Sequence, residues 1–177
     1  MRLKCHYYAY LSCKKQLEQI RKGFYEVIPL SWIKFFAVDE LESFMCGLST
    51  IDLADWKANT ETRGFSNYVK SLTLHRFWQI MGTYDQVQLG RILQFCTGTS
   101  RLPLGGFSEL ESQRGQKAKF CIQKVNFDAS KGHSGNLPKA HTCFNRLDLP
   151  RYPDYESMKR AMDFIADNDI LGFGMEE

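Results

Sequence analysis

With 177 residues and 44% hydrophobic content, the chain can bury one good core plus a small appendage, which bounds it at one or two domains. A net charge of +3, with 24% charged residues and no long Lys/Arg run, offers no track for a phosphate backbone and sets nucleic acid aside as a partner. No uncharged apolar stretch is long enough to span a bilayer. The start, Met1-Arg2-Leu3-Lys4-Cys5-His6-Tyr7-Tyr8-Ala9-Tyr10, lacks a sustained apolar segment and a small-residue cleavage site, so a soluble, cytoplasmic protein is expected.

Taken in order, Leu17, Ile20, Phe24 and Val27 recur at helical spacing between Leu11 and Ile28 and predict an amphipathic helix stopped by Pro29. Leu30, Trp32, Ile33, Phe35 and Phe36 then form an apolar cluster that one helix cannot cover, to be packed on something larger or on the rest of the chain. Asp39 can cap a short helix through Leu41, Phe44 and Met45, which Gly47 would end in a left-handed turn. Asp52 can cap another that includes Leu53 and Trp56, and the polar stretch from Asn59 to Asn67 reads as a loop.

Leu74, Phe77, Trp78 and Met81 predict a core-facing helix, and Leu89, Ile92, Leu93 and Cys96 predict a second after Asp85 as cap. Thr97-Gly98-Thr99-Ser100-Arg101 lacks the Gly-Lys-Ser/Thr ending of a phosphate loop and reads as a turn; Gly105-Gly106 likewise fails as a dinucleotide fingerprint. Phe107 to Leu110 and Phe120 to Val125 read as strands, Asn126 to Asn136 as a loop, and Asn145 to Leu149 as an alternating strand. Asp154 then caps a helix with Tyr155, Met158, Met162 and Ile165 as its buried stripe. The order of elements is that of an α/β fold.

The six cysteines, Cys5, Cys13, Cys46, Cys96, Cys121 and Cys143, lack the density of a secreted disulfide scaffold, and reduced thiols are expected. There is no CxxC pair, and His141-x-Cys143 with His133 upstream falls outside the usual zinc spacings, so neither a metal nor another cofactor is expected. Cys143 stands apart from the other five. It lies between a loop rich in Gly, Ser and Asn and a short alternating strand, where a thiol can be exposed enough to react. His141, two positions away, would share a strand face with it and could tune the thiol or serve the structure alone.

The run Leu137-Pro138-Lys139-Ala140-His141-Thr142-Cys143-Phe144-Asn145-Arg146-Leu147-Asp148-Leu149-Pro150 resembles the active-site signature of HECT-type ubiquitin ligases. Further stretches agree in the same order: Phe44-Met45-Cys46-Gly47-Leu48, Ile51-Asp52-Leu53-Ala54-Asp55-Trp56, Leu93 to Arg101, and Leu102-Pro103-Leu104-Gly105-Gly106-Phe107. The likeness runs from about Lys15 onward and is strongest to the subgroup with WW domains upstream. It implies a catalytic C-lobe of helices packed on a small sheet, residues 51–177, preceded by a helical remnant of the N-lobe, residues 1–46, with Gly47, Leu48, Ser49 and Thr50 as the hinge between lobes.

The same resemblance implies that Cys143 takes ubiquitin from a conjugating enzyme as a thioester and passes it to substrate lysines. Thr142 and Asn145 could then bond the oxyanion or serve as strand and turn residues, and His141 could position the loop. Phe173 matches an aromatic near the C-terminus that assists transfer. The surface that docks the conjugating enzyme belongs to the larger lobe and is expected to be mostly outside this chain. Two rivals stay open: a non-catalytic fragment that binds ubiquitin or competes with a full-length ligase, and a Cys-His hydrolase, for which the sequence offers no evident orienting acid.

Overall fold

The computed structural model describes residues 11–65, 67–112, 115–132 and 134–168. The chain divides into two compact units, Met1–Met45 and Cys46–Glu177.

The first unit holds α1 (Lys14–Val27), α2 (Leu30–Ile33) and most of α3 (Val38–Cys46). Helix α1 stops where Ile28 turns extended ahead of Pro29, whose fixed φ and missing N–H suit it to the start of α2. Asp39 is not the cap of α3. The helix begins one residue earlier, and Glu40 reaches back to accept the Ala37 N–H at 2.8 Å. None of the three helices buries a residue, and Trp32 and Phe35 are 67% and 82% exposed.

The second unit is a two-layer α/β fold. Helix α4 (Leu53–Ala58) starts at Asp52, whose carboxylate accepts the Ala54 N–H. The polar segment after it is not all loop: Thr60–Arg63 forms β1. Apolar periodicity misses this strand because threonine, a good strand former, supplies its inward positions. Helices α5 (Asn67–Met81) and α6 (Gln86–Thr97) follow. Asp85 and Gln88 form a capping box at the head of α6, and Gly98 closes its tail at φ 84°.

Phe107 to Leu110 is not a strand. It belongs to a 3-10 turn, Gly106–Glu109, held by tertiary contacts: the Phe107 ring stacks on Trp56 at 4.7 Å, and its N–H donates to Asp55 Oδ2. Strands β2 (Phe120–Val125), β3 (Lys139–His141) and β4 (Arg146–Pro150) and helix α7 (Tyr155–Asp167) complete the unit.

The sheet runs β1-β2-β4-β3, with β1, β2 and β4 parallel and β3 antiparallel to β4. Alternation along the strands separates two faces. Phe120, Ile122, Leu147 and Leu149 are buried with Phe77, Met81, Leu93, Met158, Met162 and Ile165 from α5, α6 and α7. Trp56 fills the centre of that layer, in edge contact with Phe120 and Trp78. The opposite face carries Glu61, Cys121 and Arg146 in one cross-strand row and Arg63, Gln123 and Asp148 in the next.

The candidate active site

Chain geometry places Cys143 at a tip. Strands β3 and β4 are an antiparallel hairpin in which His141 pairs with Arg146, and the connection between them is a 3-10 turn, Thr142–Phe144, followed by Asn145. Cys143 is exposed there and Phe144 is 66% exposed. The junction that exposes the thiol is therefore tighter than a long loop, since four residues join the paired ends.

An exposed tip needs an anchor, and Asn145 provides it. It is 1% exposed and adopts the left-handed conformation at φ 48°, which asparagine tolerates better than most side chains. Its N–H closes the turn on the Thr142 carbonyl, and its carbonyl accepts the Cys121 N–H of β2. The side-chain amide donates to the carbonyls of Glu111 and Ala118 at 3.0 and 2.8 Å. One residue thus ties the tip to its own strand, to β2 and to the segment ahead of β2. Both side-chain amide protons of Asn145 are thus committed to backbone carbonyls.

His141 is likewise engaged. Its Nε2 lies 3.0 Å from Asp148 Oδ2, while Asp148 Oδ1 lies 3.0 Å from Arg146 Nε. The carboxylate sits between the imidazole and the guanidinium and braces the two strands of the hairpin. Sequence reasoning missed Asp148. The available signal was its place in Leu147-Asp148-Leu149, an acid on the polar face of an otherwise buried strand. From below, α6 packs on the same turn; a Cβ at Gly98 would lie 4.0 Å from that of Thr142.

Of the other thiols of this unit, Cys46 is exposed at the end of α3, whereas two are differently placed. Cys96 is fully buried on α6 and Cys121 is 4% exposed on β2, and burial raises the pKa of both, keeping them protonated. The segment Gly47-Leu48-Ser49-Thr50 meets another part of the fold. Gly47 takes φ 83° against the Leu102 carbonyl, as a left-handed end to α3 requires, and Leu48 exchanges both backbone hydrogen bonds with Leu102 at 2.7 and 3.0 Å. Phe173 lies outside the described residues.

Among the described residues no helix is long and apolar enough to cross a membrane. The profile of the HECT domain, described as a ubiquitin-transferase domain, matches residues 1–176. The chain is similar to a probable E3 ubiquitin-protein ligase, hulA, of Aspergillus fumigatus, with 40% identity over 92% of this chain and 19% of that protein. It is similar in the same degree to the E3 ubiquitin-protein ligase RSP5 of Saccharomyces cerevisiae, at 39% identity over 92% of this chain and 19% of the relative. Against the E3 ubiquitin-protein ligase ptr1 of Schizosaccharomyces pombe the identity is 40%, over 92% of this chain and 5% of the relative. The chain thus spans a fifth or less of the length of these curated relatives. A signature cysteine on an anchored tip, a two-layer lobe and a match along almost all of its length agree: the chain belongs to the HECT-domain family of ubiquitin transferases.

Proposed function

We propose that the chain carries out ubiquitin transfer, with Cys143 as the acyl acceptor. In this reading residues 51–177 are the catalytic lobe, residues 1–46 the end of the larger lobe and Gly47 to Thr50 the hinge. Its partners are ubiquitin, a ubiquitin-conjugating enzyme and protein substrates, and its place is the cytoplasm, where thiols stay reduced. The observation that carries the reading is the contrast among thiols: Cys96 and Cys121 are buried, Cys46 is exposed at the end of a helix that buries no residue, and the signature cysteine is exposed on a turn anchored by buried Asn145.

In the first step the Cys143 thiolate adds to the carbonyl carbon of the thioester linking ubiquitin to the conjugating enzyme. The tetrahedral intermediate collapses, that enzyme's thiolate leaves, and the proton given up by Cys143 returns to the departing thiol through solvent. One thioester replaces another of similar energy, so the acyl carbon stays reactive. In the second step the neutral amine of a substrate lysine adds to the same carbon. The Cys143 thiolate departs, the surplus amine proton passes to solvent, and an amide remains.

The neighbours divide the remaining work. Asn145 fixes the turn, and His141, braced by Asp148, holds the strand that leads into it. The Thr142 hydroxyl is the oxyanion donor nearest the sulfur in sequence, a role worth about 3 kcal/mol per donor in other acyl transfers. Phe173 assists transfer as the aromatic near the C-terminus.

The test is to incubate the chain with a ubiquitin-loaded conjugating enzyme and, in parallel, with chemically activated ubiquitin. The expected product is an adduct of one ubiquitin that thiol reductant removes and that Cys143→Ala does not form. A folded wild-type chain that forms no adduct even with activated ubiquitin would overturn the proposal.

A further inference from the structure

Beside the tip, the outer face of the sheet opens into a cleft of about 690 Å3. Its walls carry four cations, Arg63, Lys117, Lys119 and Arg146, against one carboxylate, Glu61, and Phe144 forms part of the rim. Cross-strand register explains the cluster: Glu61, Cys121 and Arg146 stand in one row on the face opposite the core, and Arg63 is two residues on from Glu61.

Not all of this charge is compensated. Arg63 meets Glu61 at 3.4 Å and Lys117 meets Glu109 at 2.6 Å, but both pairs are largely exposed and contribute little. Lys119 has no partner among the described residues. Arg146 meets Asp148 through Nε at 3.0 Å, and among the described residues the donors at its guanidinium end have no hydrogen-bond partner. Asp148 and Glu109 do not line the cleft. A half-buried arginine fork and a nearby unpaired ammonium form a cradle for carboxylates.

Position decides what such a cradle is for. Phe144 lines the cleft and follows Cys143 directly, so a peptide lying along the rim runs beside the turn that carries the sulfur. We propose that this cleft takes the acidic side chains of the acceptor protein and so favours lysines that have Asp or Glu close by in sequence. The inference rests on the reading of Cys143 as the acyl acceptor, and it adds a specificity determinant to that site.

Two measurements test it. In the first, fluorescent peptides with a central lysine flanked by Asp/Glu, by Ser/Gly or by Arg are titrated into the uncharged chain at low salt, with amide NMR shifts to locate binding. The acidic peptide should bind best and shift Phe144, Lys119 and Arg146. Binding should weaken with added salt, and by about fivefold in Lys119→Glu. Arg151→Glu, in a separate cleft with Arg76, Phe127 and Tyr152 at the carboxyl ends of β2 and β4, should leave it unchanged. Equal binding of the three peptides, or shifts confined to the Arg151 cleft, overturns the proposal. So would ubiquitin alone shifting the same amides more strongly than the acidic peptide, which would make the cleft a donor surface.

In the second, the chain charged at Cys143 is discharged onto the same peptides under single-turnover conditions. Acidic flanks should speed discharge by about fivefold over basic ones, and Lys119→Glu should erase that preference while charging proceeds as in the wild type. Charging without preference overturns the cleft's role and spares the transferase reading. Failure to charge removes the transferase reading, and the peptide titration still decides whether the cleft binds acids.

Discussion

The β3–β4 tip and the helices α1 to α3 both hold apolar side chains out from the chain, yet only the tip is built on buried groups. Phe144 stands exposed next to Asn145, which is almost wholly buried and whose side chain donates two hydrogen bonds. Trp32 and Phe44 are exposed on helices that bury nothing, and Phe35 is exposed on the turn between them. Exposure alone therefore does not mark chemistry. A reactive group needs exposure together with a scaffold that fixes its direction, and that combination is found at Cys143.

The comparison can be broken first at its anchor. Asn145→Ala breaks two part-buried hydrogen bonds to the carbonyls of Glu111 and Ala118 and asks alanine to adopt the left-handed conformation. Urea unfolding should show a loss of about 3 kcal/mol, and adduct formation at Cys143 should slow in the fraction that remains folded. A loss below ~1 kcal/mol would mean that the tip is held by something else.

A smaller effect is expected where the second unit begins. A Cβ on Gly47 would lie 2.2 Å from the Leu102 carbonyl oxygen, at a φ of 83°. Gly47→Ala must therefore disturb the Leu48–Leu102 pairing. It should cost about 2 kcal/mol and increase amide exchange at Leu48 and Leu102.

Acid should reveal a third difference within the anchored unit. The Ser157 backbone N–H, and then its hydroxyl, hold the Asp154 carboxyl below its ordinary pKa at the head of α7. The folded state thus binds this proton less readily than the unfolded chain. The resulting stability is complete above the ordinary carboxylate range and is lost as the pH falls below it, through the lowered pKa of the folded state. Asp154→Ala should lower Tm at neutral pH, with a deficit that narrows on acidification. A deficit that widens would contradict the assignment. Least of all should change when the unanchored helices are altered: Trp32→Ala or Phe35→Ser should shift stability by under ~0.5 kcal/mol, because neither side chain leaves water on folding of the described chain.

What was legible in the sequence follows the same division. Helices α4, α6 and α7 were readable from their caps, Asp52, Asp85 and Asp154, because a side chain bonding its own first turn is a local event. The second unit's apolar stripes were readable as well, since Leu89, Ile92, Leu93 and Cys96 are all buried as their spacing predicts. Strand β1 was not, because its pairing with β2 comes from residues sixty positions away, and Thr-Glu-Thr-Arg has no apolar signature of its own. Phe107 looks like strand in the sequence because its stacking on Trp56 is invisible to periodicity.

At the proposed site, the exposure of Cys143 is legible from its junction, and its proposed role comes from the resemblance. The sequence leaves the function of Asn145 between two readings and does not reveal the contact between Asp148 and His141. Both depend on groups that only the folded sheet brings near: the carbonyls of Glu111 and Ala118 for one, the His141 ring for the other.

The most direct test is peptide mapping by mass spectrometry after the folded chain has reacted with ubiquitin activated as a C-terminal thioester. The account predicts one ubiquitin per chain, released by hydroxylamine and located on Cys143, with Cys96 and Cys121 unmodified. Acylation distributed over Cys46 and Cys121, or absent from Cys143 while the chain remains folded, would contradict it.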